Sequence, residues 1–238
     1  MSVNHKFDDS SRKISLTAGI LYLLTFISIP TLSLYVPVHD PNYILGPGPD
    51  TNVFIGVILE LIVGLAGIGT AVALYPILKR QNGSVALGLV GARVLEAATI
   101  FAGAAFLLSI VSLRQSGAGA PAIYTAKALV SMYDRIFYVG QGLIPAIDDL
   151  LLGYLLYKSR LVPRALALIG IVGAPILVAS NISVLFGLIG PRDSLTLLFA
   201  IPVALFEFSL GVLLIVKGFS KLSPLLIKLN KEAEPQAI

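Results

Sequence analysis

The sequence has no cysteine, which excludes disulfides, thiolate chemistry and any Cys-ligated metal. It has only two histidines, His5 and His39, and both fall outside the long apolar runs, so no imidazole is available inside a run to ligate a metal. Charge is scarce too. Asp, Glu, Lys and Arg make up 13% of the 238 residues, against roughly 25% in soluble domains. The enzyme signatures that are missing include a nucleotide-binding glycine loop, His-Glu-x-x-His, Gly-x-Ser-x-Gly and the Gly-x-Gly-Asp of intramembrane aspartyl proteases. Neither a cofactor nor a metal is expected.

What is abundant is hydrocarbon. Hydrophobic residues reach 56% and the mean hydropathy is +0.90, which excludes a soluble core as the main architecture. The formal charge of +4 does not point to nucleic acid. No basic patch is interleaved with aromatics, and the basic residues sit at the ends of apolar runs, where membrane topology places them. The partner these features imply is the lipid bilayer.

Six runs are expected to cross it, at 14–36, 53–76, 85–113, 133–157, 165–189 and 195–216. They form one bundle over 14–218 between a polar segment (1–13) and a tail (219–238). The first run has a basic flank like a signal peptide. It is too long for an h-region and lacks a small-x-small cleavage site, so it is read as a retained span. Pro37, Pro41, Pro47 and Pro49 with Gly46 and Gly48 make 37–52 an irregular loop. The stretch 122–157 exceeds the ~20 residues that one perpendicular crossing needs. A tilted or surface-lying first part is expected, then a kink at 140–145, where Pro145 leaves the Gln141 carbonyl without its donor. In the tail, Leu225 to Leu229 form an apolar patch suited to a membrane surface.

Lys and Arg fix the orientation. With a cytoplasmic N-terminus, that side holds twelve: Lys6, Arg12, Lys13, Lys79, Arg80, Lys158, Arg160, Arg164, Lys217, Lys221, Lys228 and Lys231. The other side holds three, Arg114, Lys127 and Arg192. This bias puts both termini in the cytoplasm of a multi-pass protein of the cell membrane.

The polar residues inside the runs carry the functional argument. Arg93 and Glu96, three apart on a helix, share a face and can pair. A charge turned to lipid costs at least ~2.5 kcal/mol, so that face must point inward. At ~1.5 Å per residue, Glu96, Asp148, Asp149 and Glu207 all fall in the middle third of the membrane. Glu60 and Asn181 lie nearer the outer side. Asp134, Gln141 and Asp148 are spaced by seven, so a continuous helix would put them on one stripe. Five acids face Arg93 as the only deep base. The surplus must be protonated, hydrated or matched by a cation. Asp134-Arg135, beside Tyr124, Tyr133 and Tyr138, reads as an interface anchor. Gln141 and Asn181 are secondary candidates, and each taken alone reads as a packing hydrogen bond.

Three stretches resemble a known family: Ala92-Arg-Val-Leu-Glu-Ala97; Leu152 to Arg164 leading into Gly170; and Ile201-Pro-Val-Ala-Leu-Phe-Glu207 running to Phe219. In order and spacing they are similar to DUF4386, a bacterial and archaeal integral-membrane family of unknown function. The resemblance implies six spans and singles out Arg93, Glu96 and Glu207. One position departs from it: Phe206 stands where a glutamine beside the glutamate is expected.

The leading expectation is therefore a membrane-embedded binding or transport module with an interior acidic site for a proton, a cation or an amphiphile head group. The Gly140 to Pro145 break favours a transporter-like site, while no inverted repeat relates the first three spans to the last three. One alternative is an intramembrane enzyme that works on lipid or peptide with paired carboxylates. The other is a structural or accessory subunit in which the same groups only pin helices together.

Overall fold

In hydrocarbon the backbone has no water to bond, so each apolar run must satisfy its own N–H and C=O groups, as a helix does. The computed structural model describes residues 3–191 and 193–233, with side chains for all of these except 3–8, 32 and 233. Arg192 and the outermost residues of both ends (1–2 and 234–238), which entered the expectations above, lie outside the described residues. The described residues are mostly helical, and they form no strand. The helices are α1 Val3–Thr25, α2 Thr31–Leu34, α3 Thr51–Leu78, α4 Gly83–Gln115, α5 Ile123–Phe137, α6 Ile144–Ser159, α7 Arg164–Leu185, α8 Ser194–Val216 and α9 Pro224–Ala233. Five helical units are long and apolar enough to cross a membrane: α3, α4, the unit Ala120–Ser159 containing α5 and α6, α7 and α8. Their outer faces expose large apolar side chains such as Leu65, Leu87, Val172, Leu197 and Val216, a surface made for lipid.

The first apolar run, 14–36, is not one helix. Helix α1 begins well before it and ends at Thr25. A 3₁₀ turn (Phe26–Ser28) and α2 carry the chain on. The cause is Pro30, which has no N–H to donate and crowds the preceding turn. Hydroxyls close the gap. Thr25 donates to the Tyr22 carbonyl (2.7 Å), Ser28 to Thr25 (3.0 Å), Thr31 to Ser28 (2.6 Å) and Ser33 to Pro30 (2.7 Å). The broken segment still tracks α3 in the opposite direction, with Leu21 beside Gly69 and Tyr35 against Gly56.

The expected kink at 140–145 takes the form of a π-helical turn, Tyr138–Leu143. The Ile144 N–H donates to the Val139 carbonyl, five residues back rather than four. Asn181 of α7 satisfies the loosened backbone, its Nδ2 donating to the Gly142 carbonyl and to Leu177, each at 2.9 Å. The Tyr138 hydroxyl in turn donates to the Asn181 carbonyl.

The basic ends of the segments meet. Arg12 donates to the Leu214 and Ile215 carbonyls (3.0 and 2.5 Å), closing the last turn of α8, where a cation also suits the helix dipole. The Ser220 N–H donates to the Leu161 carbonyl (2.8 Å) and Ser223 Oγ to Ser159 (2.6 Å), which ties the tail to the link between α6 and α7. At the opposite end Arg114 fastens the Pro/Gly loop. It donates to Gly46 (2.9 Å), Gly48 (2.6 Å) and Asp50 Oδ1 (2.7 Å), with its guanidinium 4.4 Å from the Tyr43 ring centre. Burial pushes the Asp50 carboxyl up. Hydrogen bonds from Tyr43 and Gln115 and the Arg114 charge outweigh burial and hold it below the usual aspartate range. Burial, then the bond to Asp50, raises the Tyr43 phenol to about 12.

Two outcomes follow from these contacts. A Cβ at Gly19 would lie 2.8 Å from both the Gly211 carbonyl oxygen and Ile215 Cγ1. Gly19→Val is therefore expected to overpack α1 against α8, costing about 1–3 kcal/mol, and thermal unfolding in detergent reads this directly. The stability that Asp50 contributes is present above its ordinary value and lost as pH falls through its depressed one. Protease cleavage of the 37–50 loop should begin only below the usual aspartate range in the wild type, and already at neutral pH in Asp50→Asn.

Candidate functional site

Apolar packing divides into two main cores, one toward each end of the bundle. The core at the basic end contains Tyr22, Leu74, Leu78, Leu89, Leu152 and Leu210. The other contains Tyr35, Val57, Leu107, Ile110 and Tyr133. A polar layer lies between them, and Arg93 is its centre.

Arg93 is 3% exposed. Its three guanidinium nitrogens each turn to a different carboxyl. One terminal nitrogen donates to Glu96 Oε2 at 2.8 Å, the pairing expected from their spacing on α4. The other donates to Glu207 Oε1 of α8 at 2.5 Å. Nε stands 3.6 Å from Asp148 Oδ2 of α6, an ion pair too long for a hydrogen bond. The Tyr22 ring of α1 faces the guanidinium with 5.6 Å to its centroid. Four helices thus converge on a single cation, whose rigid fork suits several carboxyls as a lysine's point charge would not.

Asp148 and Asp149 are both fully buried, and neither accepts a hydrogen bond from any N–H or hydroxyl, although the Asp148 carboxyl lies against that of Glu96. Asp149 lies within electrostatic reach of Glu207, Arg93 and Asp148 but pairs with none of them. The Glu96 and Glu207 side chains keep 12% and 15% exposure, so the cluster is closed on the α6 side and partly open on the other. Among the described residues no three imidazole or carboxylate groups gather with metal-site geometry.

Glu60 does not join this cluster. It is buried on α3, where the Tyr133 hydroxyl donates to its Oε1 at 3.1 Å. It shares a narrow recess with Thr99, Tyr133 and Gln141. Asn181 serves the π turn, as described above. Of the eight candidate residues, Arg93, Glu96, Asp148 and Glu207 are in direct contact and Asp149 adjoins them. Glu60 and Gln141 form a second locality, and Asn181 is a backbone brace.

Some placements differ from the sequence reading. Asp134 does not share a stripe with Asp148, because the π turn holds one more residue than an α turn. That rotates α6 against α5 by about 100°. Tyr133, expected at the interface, is the residue brought inside, while Asp134 turns outward, its Oδ1 2.9 Å from His39 Nε2. Phe206, the departure from the family pattern, is wholly buried and packs over Gly170. Sequence reasoning missed Tyr22, although a tyrosine midway along the first apolar run is a polar tip in hydrocarbon that needs a partner.

Removing Arg93 would leave buried acids without their cation. Arg93→Leu is expected to destabilise the protein by about 3–5 kcal/mol. Arg93→Lys should restore only part of this, since one ammonium cannot serve three carboxyls. Thermal unfolding in detergent, with the two variants side by side, checks the order.

The sequence model of a family described as a domain of unknown function, DUF4386, matches residues 17–218. No curated protein and no solved structure matches the chain.

Proposed function

We propose, on the premise that this chain belongs to the DUF4386 family, that it is a multi-pass membrane protein holding and exchanging protons at a site midway across the bilayer. The broken segment of α1 and α2 serves as a sixth crossing beside the five long helical units. Its antiparallel course along α3 supports that count. The gathering of the N-terminal flank, the 160–163 link and the tail at one end, together with the basic bias, supports cytoplasmic termini in the cell membrane.

One observation carries the proton reading. Asp148 and Asp149 are fully buried beside a guanidinium already engaged by Glu96 and Glu207, Asp148 lying against the Glu96 carboxyl and Asp149 with no hydrogen-bond partner at all. Four carboxylates around one arginine would leave a large negative charge in a medium that supports none. Protons neutralise it without needing space. A metal ion would have to displace Arg93, which sits where the ligands converge. Glu96 and Glu207, whose side chains keep some exposure, are the carboxyls nearest the edge of the cluster. A module of this kind couples proton binding to whatever its helices do, in binding or in transport. The direct ion pairs joining α4, α6 and α8 favour a second reading, a structural pin, in which the carboxyls merely fasten helices.

Infrared spectroscopy of the protein in lipid vesicles separates the two. The wild type at neutral pH should show an aspartate component of protonated-carboxyl absorption that the Asp148→Asn, Asp149→Asn double variant lacks while remaining folded. A wild-type spectrum with no protonated carboxyl at neutral pH would end the proton reading. A variant that unfolds without spectral change would establish the pin.

A further inference from the structure

The recess around Glu60 is separate from the Arg93 cluster and has its own chemistry. Glu60 is 1% exposed. Its Oε1 accepts from Tyr133, and its Oε2 faces the buried Tyr35 hydroxyl, the two falling just short of hydrogen-bond geometry. The two tyrosine rings meet edge to face, 5.5 Å between centroids, and wall the carboxyl on the loop side. The groups acting on Glu60 electrostatically are these two phenols. Thr99 of α4 and Gln141 of the π turn, which complete the recess, are neutral, and Asp134 acts on Tyr133 from further out. Thus, among the described residues, no cation answers this acid.

Depth separates it from the cluster. On α3, Gly67 is the residue that passes the cluster, since a Cβ there would lie 3.8 Å from Glu96 Oε2 and 3.9 Å from Arg93 Cδ. Glu60 is seven residues before it, about 10 Å along the helix axis.

From this geometry we infer that Glu60 is a second proton-binding site, closed by Tyr133 and Tyr35 and set toward the Arg114 end of the bundle. The ligand is a proton rather than a metal ion or an organic ammonium, because the recess is too narrow to admit even a water molecule. In the protonated form, Oε1 keeps the bond from Tyr133 and the new O–H at Oε2 donates to the Tyr35 oxygen. One proton then makes the buried carboxyl neutral, which a cation would otherwise have to do, while keeping it bonded to both phenols. This site stands independently of the cluster reading.

The test uses the full chain in vesicles, with infrared spectra at neutral pH of the wild type, Glu60→Gln, Tyr133→Phe and the Asp148→Asn, Asp149→Asn double variant. Glu60→Gln should remove one protonated-carboxyl band, which persists in the double variant. Tyr133→Phe should shift that same band by deleting its hydrogen bond. A Glu60→Gln spectrum identical to the wild type, or a band unmoved in Tyr133→Phe, would overturn the inference. If Glu60→Gln does not fold, the Tyr133→Phe shift decides alone. A wild-type spectrum holding the Glu60 band and nothing that the aspartate double variant removes would take away the earlier reading and leave this one standing.

Discussion

A guanidinium in hydrocarbon cannot shed its proton, so it must find anions, and the bundle is arranged around that demand. Arg93 sits on the longest helix, and three other helices bring it Tyr22, Asp148 and Glu207. Each contact also fixes a helix rotation, because a side chain that must reach the centre cannot turn to lipid. The two flanking apolar cores then fill the space on either side. Polar groups set which faces look inward, and the apolar cores set how tightly those faces close.

That division explains what could be read from the chain alone. Composition and run length reveal helices in a membrane, because the bilayer leaves little choice of backbone. The meeting of Glu96, Asp148 and Glu207 with Arg93 was legible for the same reason: a charge of known depth in an insulating medium has few places to go. Glu60 was misjudged as part of that meeting. Depth along a helix says nothing of which neighbour lies alongside, and Glu60 found phenols instead of the arginine. Tyr133 was misplaced because its face depends on a turn type that periodicity counts as ordinary helix.

Irregular backbone in this protein is placed with a repair beside it. At Pro30, four hydroxyls pick up carbonyls through the break. At the π turn, one asparagine on a neighbouring helix does the equivalent work. The difference has consequences for rigidity. The first repair is internal to its own segment and moves with it, whereas the second ties α7 to the turn, so α6 cannot rotate freely while the asparagine holds.

The six-residue turn between α5 and α6 also resets phase. A helix that carries one surplus residue keeps both halves intact yet changes which of their sides coincide. Here Asp148 looks into the bundle and Asp134 away from it, although their spacing would put both on one face of a regular helix. Were that surplus passed along until it lay beyond position 149, each residue it crossed would turn by about 100°. Both aspartates would then travel together toward a new neighbour, without any hydrogen-bonded segment having to melt.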